Sequence, residues 1–481
     1  MLISASSRPS AILAGLCLAL AAMVAACATP AKGPAGEAPV AAAALTPAQR
    51  ELNVRSLEVV WETVRDKHFD PTLGGLDWPA CRAEFLPRVA AATTAEEARG
   101  AMTAMLARLG QSHFGIIPAE AYEGVSGERE HPSGGASKSA AEPTDFDGTS
   151  EPTGPGEAGL TIRVIDSAAV VASVRAGGAA ERAGVRPGWI VEEVAGKRIG
   201  PVIERVRRNT AGEGFLEARL ALALEGRFGG DAGDELKIVF LDAADVRTER
   251  TLTLMPETGL RAKLGNLPEM LVRFESARVA AGTVGYIHLS TFLEPGTIMP
   301  KFAEAVGSMR DCRGMVLDLR GNVGGIAAMG MGIGGLFVDK PNQKLGTMAM
   351  RTLSLNFVLN PRLEPFTGPL AILVDEMSLS TSEILAGGLQ DLGRARVFGT
   401  RTGGAALPSV IERLPNGDGF QYAFANYTSV GGAVLEGRGV MPDEVLPLTR
   451  AALLAGQDPA LDAAVRWIQK QAASESGGSR N

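Results

Sequence analysis

The apolar positions between residues 46 and 123 recur at the three-to-four-residue spacing of helices that pack through one face. The first helix is marked by Leu52, Val54, Leu57, Val60, Trp61 and Val64. The second, from Ala98 to Leu109, follows the capping pair Thr94 and Glu97. From Gly110 to Ile117 the pattern changes to β-type residues. We therefore predict a small helical domain over residues 46–123.

Residues 124–157 are rich in Gly, Ser, Pro, Glu and Asp and contain almost no large apolar residue. A segment of this kind cannot bury a core, and we interpret it as a flexible insert. Short strands then resume at Leu160 and at Ala169–Val174. A short helix stopped by Gly184, a Pro187-Gly188 turn and a strand at Ile190–Val194 complete a unit that we place at residues 158–257.

From residue 258 to residue 472 strand-like and helix-like segments alternate, which is typical of a layered α/β domain. The buried-strand pattern of Gly314–Leu319 runs directly into the turn Arg320-Gly321-Asn322-Val323-Gly324-Gly325. Glycines there let backbone N–H groups approach a ligand atom, as an oxyanion hole or a phosphate cradle requires. No lysine accompanies the turn, and a purely structural role stays open.

Gly330-Met331-Gly332-Ile333-Gly334-Gly335 matches the dinucleotide-binding fingerprint letter by letter. That fingerprint has meaning only where it directly follows a strand and opens a helix. Here the predicted strand ends about ten residues earlier. We interpret these glycines as small residues inside a helix, and we expect no nicotinamide or flavin cofactor.

The apolar strand Pro369–Val374 is followed by a polar turn containing Ser378, Ser380 and Glu383, and then by a helix from Ile384 to Leu389. A serine at such a strand-to-helix turn lies at the positive end of a helix dipole, where an attacking alkoxide and an oxyanion are both stabilised. Ser380-Thr381-Ser382-Glu383 is also a capping box, which needs no chemistry. The local residues alone favour the cap.

The chain has 481 residues, 46% of them hydrophobic and 21% charged, as expected for several globular domains with a sizeable core. A net charge of −7 gives no reason to expect nucleic acid as a partner.

The N-terminal residues 1–27 combine Arg8, a short apolar run and Val24-Ala25-Ala26-Cys27. This resembles a bacterial lipoprotein signal in which Cys27 is lipidated, although an ordinary secretory signal stays open. Residues 28–45 form a tether and 473–481 a flexible tail. Beyond Cys27 only Cys81 and Cys312 remain, which supports neither a disulfide framework nor a zinc site.

The ordered segments resemble the tail-specific, or carboxyl-terminal-processing, serine peptidase family. The resemblance rests on the 158–257 unit, which looks like a PDZ domain, and on Leu317–Gly325, Ser378–Glu383 and Gly399–Gly404. It implies an α/β multidomain fold: an N-terminal helical domain, a PDZ-like domain and an α/β catalytic domain of the ClpP/crotonase type. A β-rich spacer without a ligand is the alternative for the PDZ-like unit.

The resemblance also implies roles for particular residues. Ser380 becomes the nucleophile, and the N–H groups of Thr381 and of Gly324 or Gly325 form the oxyanion hole. The carboxylate-binding loop, which receives the C-terminus of a substrate, consists of Gly159, Leu160, Thr161 and Ile162.

One departure concerns the general base. In the better-known branch of the family it is a lysine, at a position matching Ala405, and no lysine lies between Lys344 and Lys470. Ser112-His113 instead resembles the Ser-His pair of the tricorn branch, whose tetrad is completed by a later glutamate, here Glu436. An exposed loop carboxylate is the alternative for Glu436. Of the other histidines, we expect His131 in the insert, His288 on a sheet surface and His68 at a helix end.

We therefore expect an exported serine endopeptidase that cleaves proteins or peptides through an acyl-enzyme on Ser380, with His113 as base and no metal or cofactor. We expect it to face the periplasm, held by its lipid anchor, with the outer membrane slightly favoured. A bound substrate terminus is expected to favour docking of the helical domain. A hydrophobic-ligand carrier and an inactive PDZ scaffold are the alternatives.

Overall fold

The computed structural model describes residues 44–120, 154–209, 216–263 and 269–478. The proposed signal segment with Cys27, nearly all of the tether and residues 124–153 of the insert lie outside these ranges. Among the described residues, no helix has the length and apolar content needed to cross a bilayer.

Three helices form the N-terminal part of the described chain: α1 (Pro47–Lys67), α2 (Trp78–Ala91) and α3 (Ala95–Ala107). The Thr46 side chain caps α1 by accepting from the N–H of Gln49. Thr94 caps α3 by accepting from the N–H of Glu97 at 3.2 Å, as the sequence predicts. The Glu97 carboxylate, however, bonds Thr93 rather than Thr94.

These helices are joined to the C-terminal half of the chain by a small sheet. Its strands, in the order β1-β21-β20, are β1 (Gly115–Ile117), β20 (Ser409–Arg413) and β21 (Gly419–Ala423). Leu414, Phe420 and Tyr422 of this hairpin pack into the core of the helices. The residues just before β1 are therefore fixed by a partner about 300 residues further along the chain.

The middle domain, residues 154–257, is built on a five-stranded antiparallel sheet of order β3-β4-β5-β8-β9, with β6 paired to β5. Its strands are β3 (Leu160–Ile165), β4 (Ala168–Val174), β5 (Ile190–Val194), β6 (Lys197–Arg198), β8 (Glu235–Leu241) and β9 (Arg247–Thr253). A second sheet of order β10-β2-β7 contains β2 (Pro155–Glu157), β7 (Gly229–Asp231) and β10 (Met255–Pro256). The helices are α4 (Ala179–Arg182), α5 (Gly200–Asn209) and α6 (Leu216–Glu225).

The boundary of the insert needs a correction. We expected it to extend to residue 157, but Pro155–Glu157 pair with β7 and β10. Gly156 lies so close to the backbone of residues 231–232 that no side chain would fit there. Ala179–Arg182 and Ile190–Val194 have the structure that the sequence predicts.

The C-terminal domain is a layered α/β unit. Its main sheet has the order β13-β14-β15-β18-β19-β23, parallel from β14 onward. The strands are β13 (Phe274–Val279), β14 (Val284–Leu289), β15 (Met315–Asp318), β18 (Leu370–Val374), β19 (Arg396–Gly399) and β23 (Glu444–Val445). The helices are α7 (Pro295–Ser308), α8 (Ala327–Gly334), α9 (Thr381–Asp391), α10 (Arg450–Leu454) and α11 (Pro459–Gly478).

Two smaller sheets flank the main one. A three-stranded sheet has the order β17-β16-β22, and β11 pairs with β12. Their strands are β11 (Leu260–Ala262), β12 (Met270–Val272), β16 (Gln343–Met350), β17 (Ser354–Leu359) and β22 (Ala425–Ser429).

Both faces of the main sheet are covered, which explains the continuous apolar pattern of its central strands. Leu317 and Ile372 face α7, α8 and α9, whereas Val316 and Leu373 face α11. Helix α11 continues to Gly478, so residues 473–478, which we expected to belong to a flexible tail, are helical.

The glycine run at residues 330–335 lies in and at the end of α8, as expected, and a turn separates it from β15. A Cβ on Gly330 would come within 2.7 Å of the Thr381 side chain. These glycines therefore allow α8 to pack closely against α9.

Candidate active site

Ser380 occupies a strained backbone position between β18 and α9. Its φ is 54° and its ψ is −114°, a combination that non-glycine residues rarely adopt. The turn is fixed from below, since Ser378 Oγ donates to the Leu319 carbonyl at 2.7 Å and the Leu379 N–H donates to the Asn322 carbonyl at 2.9 Å. The nucleophile candidate is thus held in one conformation by the turn that follows β15.

The glycine turn lies directly against Ser380. A Cβ on Gly324 would be 2.7 Å from Ser380 Cβ, so only glycine fits. The Gly324 N–H donates to Asn322 Oδ1 at 2.9 Å, and Thr381 Oγ1 donates to the Gly325 carbonyl at 2.7 Å. The three residues expected at an oxyanion hole are therefore brought together beside Ser380.

Ser112 and His113 enter the site from the N-terminal helices, on the segment between α3 and β1. Ser112 Oγ is 2.5 Å from His113 Nδ1 and donates to Glu436 Oε2 at 2.8 Å. The Ser112 N–H donates to Glu436 Oε1 at 2.6 Å. The sequence placed these three residues in one group, and the structure brings them together.

His113 is buried, and its other ring nitrogen is unused. Nε2 is a buried side-chain atom without a hydrogen-bond partner among the described residues. Burial lowers the pKa of His113 to about 3, so the imidazole is neutral over the physiological range. Like Ser380, His113 has a positive φ, here 62°. The imidazole therefore has the neutral form and the free nitrogen that a general base needs, but its low resting pKa makes it a weak base until a nearby charge stabilises the imidazolium.

Glu436 is half-buried and both of its carboxylate oxygens accept hydrogen bonds, which does not fit the alternative of an exposed loop carboxylate. It also accepts the N–H of Ala406 at 3.1 Å, in addition to the two bonds from Ser112. Burial raises the pKa of Glu436 to about 7, while these hydrogen bonds oppose the shift.

Residues 404–406 connect the two halves of the site. The Ser380 N–H donates to the Ala405 carbonyl at 2.9 Å, and the next amide, of Ala406, donates to Glu436. Ser380 and the Ser112–His113–Glu436 group are thus attached to neighbouring peptide units. Ala405, at the position that matches the lysine base of the better-known branch, is fully buried.

The middle domain covers the nucleophile turn. Ala218, Ala221 and Leu222 of α6 form one apolar cluster with Met377, Leu379 and Ala405. Arg163 of β3 donates to Asp375 at 2.9 Å and to Glu225 at 2.9 Å, which fixes the two domains through a buried ion pair. In this conformation Ser380 has only 6% of its surface exposed.

The expected carboxylate-binding loop lies at the edge of the middle-domain sheet. Gly159, Leu160 and Thr161 line a cavity of about 1230 Å³ between the middle and C-terminal domains. Ile162, also expected there, is buried in the core of the middle domain because the strand alternates its side chains between two faces.

The remaining histidines lie outside the Ser112–His113–Glu436 group. His68 ends α1 as expected, but it is buried, stacks on Phe114 and contacts Gln111 Oε1 through Nε2 at 2.8 Å. It therefore supports the segment that carries His113. His288 lies within β14 and contacts the Asp318 carbonyl, and His131 lies outside the described residues.

The sequence identified Glu383 only as part of a helix cap, and the structure gives it further contacts. Its carboxylate is completely buried and accepts four hydrogen bonds, from Ser380 N–H, Thr402 Oγ1, Gly404 N–H and Ala405 N–H. The Ser-x-x-Glu pattern signalled the first of these bonds, and no pattern in the sequence signalled the other three.

Comparisons with known proteins find similar sequences over much of the chain. Residues 283–446 match the model of peptidase family S41, and residues 55–107 match that of the tricorn protease C1 domain. Carboxyl-terminal-processing peptidase 3 of Arabidopsis thaliana is 26% identical over 393 residues, which cover 81% of this chain and 68% of the relative. The carboxyl-terminal-processing protease of a Picosynechococcus is 34% identical over 170 residues, 34% of this chain and 39% of the relative.

Two solved structures share the fold. The photosystem II D1 C-terminal processing protease aligns over 88% of this chain and 97% of its own, with a TM-score of 0.52 and 21% identity. Mature CPAF aligns over 88% and 97%, with a TM-score of 0.57 and 13% identity. The fold, the site and these matches define a serine-type peptidase. Residues 283–446 match peptidase family S41, and the relatives of this chain are carboxyl-terminal-processing peptidases.

Proposed function

We propose that the protein is an exported endopeptidase of the carboxyl-terminal-processing type, which cleaves protein or peptide substrates through an acyl-enzyme on Ser380 with His113 as general base. The observation that carries the proposal is the series of hydrogen bonds from Glu436 through Ser112 to His113, whose Nε2 has no partner among the described residues. Residues 404–406 connect this series to Ser380, because the Ala405 carbonyl accepts the Ser380 N–H and the Ala406 N–H donates to Glu436.

The hydrogen bonds of Ser112 select the tautomer of His113. The Ser112 hydroxyl has one hydrogen, and it donates this hydrogen to Glu436 Oε2. Ser112 Oγ can then only accept from His113 Nδ1, which leaves Nε2 without a proton. An ionised Glu436 therefore prepares the tautomer that a general base requires, as the third member of a catalytic triad does.

Thr381 and Gly325 are the better pair of oxyanion donors. The Gly324 N–H already bonds Asn322 Oδ1, so its use would break an existing hydrogen bond. The N–H of Thr381 belongs to the first turn of α9, where the helix dipole favours negative charge.

The reaction follows from these placements. His113 Nε2 takes the Ser380 proton as Oγ attacks the substrate carbonyl, and the oxyanion develops against the two N–H groups. His113 then returns the proton to the leaving amine, and water, activated by the same nitrogen, hydrolyses the ester. The low resting pKa of His113 rises in the transition state, because the oxyanion and Glu436 both stabilise an imidazolium.

The middle domain is the proposed site for the C-terminus of a substrate. Support for this part of the proposal comes from β3, an edge strand of its sheet that a peptide can extend. The helical segment is attached to the C-terminal half of the chain through the pairing of β1 with β21. Docking of this segment therefore does not require a bound terminus. We propose instead that the terminus weakens the contact between α6 and the nucleophile turn.

Location is a separate proposal, supported by the sequence of residues 1–27. We propose that Cys27 is lipidated and anchors the protein at the periplasmic face of the cell envelope. Metabolic labelling with a palmitate analogue should mark the full-length protein and not Cys27→Ser. Equal labelling of both would contradict the anchor.

A fluorophosphonate probe tests the chemistry directly. The unmutated protein should be labelled, whereas Ser380→Ala and His113→Ala should not. An unlabelled parent protein would overturn the peptidase mechanism, and labelling that survives His113→Ala would remove His113 as base.

A pair of peptides tests recognition of the terminus. A peptide with a free C-terminus should be cleaved faster than the same peptide with an amidated C-terminus, because the amide removes the charge that the carboxylate-binding loop receives. Equal rates would contradict this part of the proposal.

A further inference from the structure

Glu383 lies in the first turn of α9 and is completely buried. Each carboxylate oxygen receives two hydrogen bonds. Oε2 accepts from the N–H groups of Ser380 at 3.0 Å and Ala405 at 2.9 Å, and Oε1 accepts from Thr402 Oγ1 at 2.6 Å and Gly404 N–H at 2.8 Å. Four donors on two oxygens are the full complement of an ionised carboxylate.

A helix cap does not account for this arrangement. Capping explains the bond to the Ser380 N–H, which belongs to the same turn. The other three donors belong to residues 402–405, outside the helix. Glu383 therefore joins the nucleophile turn to a second segment of the chain.

That segment also carries the partner of the base. The consecutive amides of Gly404, Ala405 and Ala406 donate to only two carboxylates, the first two to Glu383 and the third to Glu436. The Ala405 carbonyl in turn accepts the Ser380 N–H. A shift of this segment would move Glu436 and Ser380 relative to each other.

Among the described residues, no cation contributes to the pKa of Glu383. Burial raises its pKa to about 7, and only the hydrogen bonds from Thr402, Gly404, Ser380 and Ala405 oppose the shift. Glu436 accepts the Ala406 N–H, next to the Ala405 N–H that donates to Glu383, and Arg401 and Arg438 are exposed. Glu383 and Glu436 therefore titrate in the same range.

We propose that Glu383 is a positioning residue for catalysis: its ionised carboxylate fixes the position of Ser380 relative to residues 404–406, so that Ser380 faces His113. This inference deepens the proposed function and rests on it. Glu383 touches neither the substrate nor the reacting atoms, and it acts through the two segments that it joins.

The test is the pH dependence of fluorophosphonate labelling between pH 5 and pH 9. Because both Glu383 and Glu436 must lose a proton, the logarithm of the rate for the parent protein should rise with a slope of about two below pH 7. Glu383→Gln should lower the plateau about 100-fold, as expected for a nucleophile displaced by about 1 Å, and reduce the slope to about one. A variant with the parent plateau and a slope of two would overturn the proposal.

Glu97→Gln is the matched control, since Glu97 occupies the same third position after a capping threonine in α3 but is exposed. It should leave the plateau and the slope unchanged. A changed slope in Glu97→Gln would show that the slope does not report on Glu383, which would also overturn the proposal.

A second variant applies if Glu383→Gln does not fold. Thr402→Val keeps the Glu383 carboxylate and removes one of its four donors, which raises the pKa of Glu383. The rise of the labelling rate with pH should therefore move to higher pH by at least about half a unit. An unmoved rise would overturn the proposal. Failure of the proposed function looks different, since then the parent protein itself is not labelled, or Ser380→Ala is.

Discussion

Ser112 and Glu436 are 324 positions apart in the chain, yet Ser112 bonds both oxygens of the Glu436 carboxylate, through its N–H at 2.6 Å and its hydroxyl at 2.8 Å. The two residues come from the N-terminal helices and from the C-terminal domain. Their contact orients His113, so the proposed active site depends on how these two parts of the molecule meet.

Replacing Glu436 by Gln should slow fluorophosphonate labelling about 1000-fold at pH 8, because Gln has one acceptor oxygen for three donors and no charge to stabilise the imidazolium. The labelling rate constant is the measurement. Asp443→Asn is the control. Asp443 accepts a hydrogen bond, 2.8 Å long, from the N–H of Val397 in β19 rather than from a residue of the site. A Glu436→Gln rate within twofold of the parent would contradict the role of Glu436.

Replacing Gly324 by Ala should destabilise the protein by about 3 kcal/mol, because φ is +96° and the new Cβ would lie 2.7 Å from Ser380 Cβ. Labelling should fall at least about 100-fold as Ser380 is displaced. Urea denaturation and the labelling rate check the two effects. In the control Gly282→Ala, φ is also positive at +84° but no heavy atom lies within 4 Å, so it should cost about 1 kcal/mol and leave labelling intact.

Replacing Asp418 by Ala should detach the segment that carries His113. Asp418 is buried, bonds Arg99 at 2.8 Å and accepts the Ala119 N–H at 2.9 Å, so its loss leaves the half-buried Arg99 with only the exposed Glu120 as an ion-pair partner. We expect a loss of about 3 kcal/mol and of most labelling. The control Glu84→Ala breaks an exposed pair with Arg108 and should change neither quantity measurably. Full labelling of Asp418→Ala would show that this anchor does not position the base.

The stability of the protein should depend on pH through His113. Its pKa is about 3 in the folded protein and 6.5 by reference, so the unfolded chain binds the proton more readily between these values. The contribution of His113 to the free energy of unfolding therefore rises with pH across this window and is constant above it, whereas the raised pKa values of Glu383 and Glu436 contribute the opposite slope. Between pH 4 and pH 7 the parent protein should gain about 3 kcal/mol more than His113→Asn, measured by urea denaturation. An equal gain in both proteins would contradict the buried, neutral state of His113.

Residues with a local pattern were predictable from the sequence. The caps at Thr94, the strand at Ile190–Val194 and the helical glycine run at residues 330–335 follow from neighbouring side chains. Resemblance, rather than periodicity, selected Ser380, His113, Ser112 and Glu436 as one group. The structure brings the last three into hydrogen-bond contact and places Ser380 on the adjoining segment.

Features that depend on distant partners were not predictable. Nothing near residue 115 indicates that β1 pairs with Gly419–Ala423, and nothing near Glu383 indicates its three donors at residues 402–405. The Ile162 side chain lies in the core of the middle domain, and the expected role of residues 159–162, through their backbone N–H groups, stays a prediction.

The pairing of β1 with β21 also has a consequence for biosynthesis. The strand that fixes His113 has its partner about 300 residues later, so it cannot take its place until most of the chain has been made. Ser380 and its turn belong to a unit whose sheet and helices lie within residues 274–478. On the proposed mechanism, Ser380 therefore has no positioned base until residues 419–423 have been made and have paired with β1, and proteolytic activity begins only then.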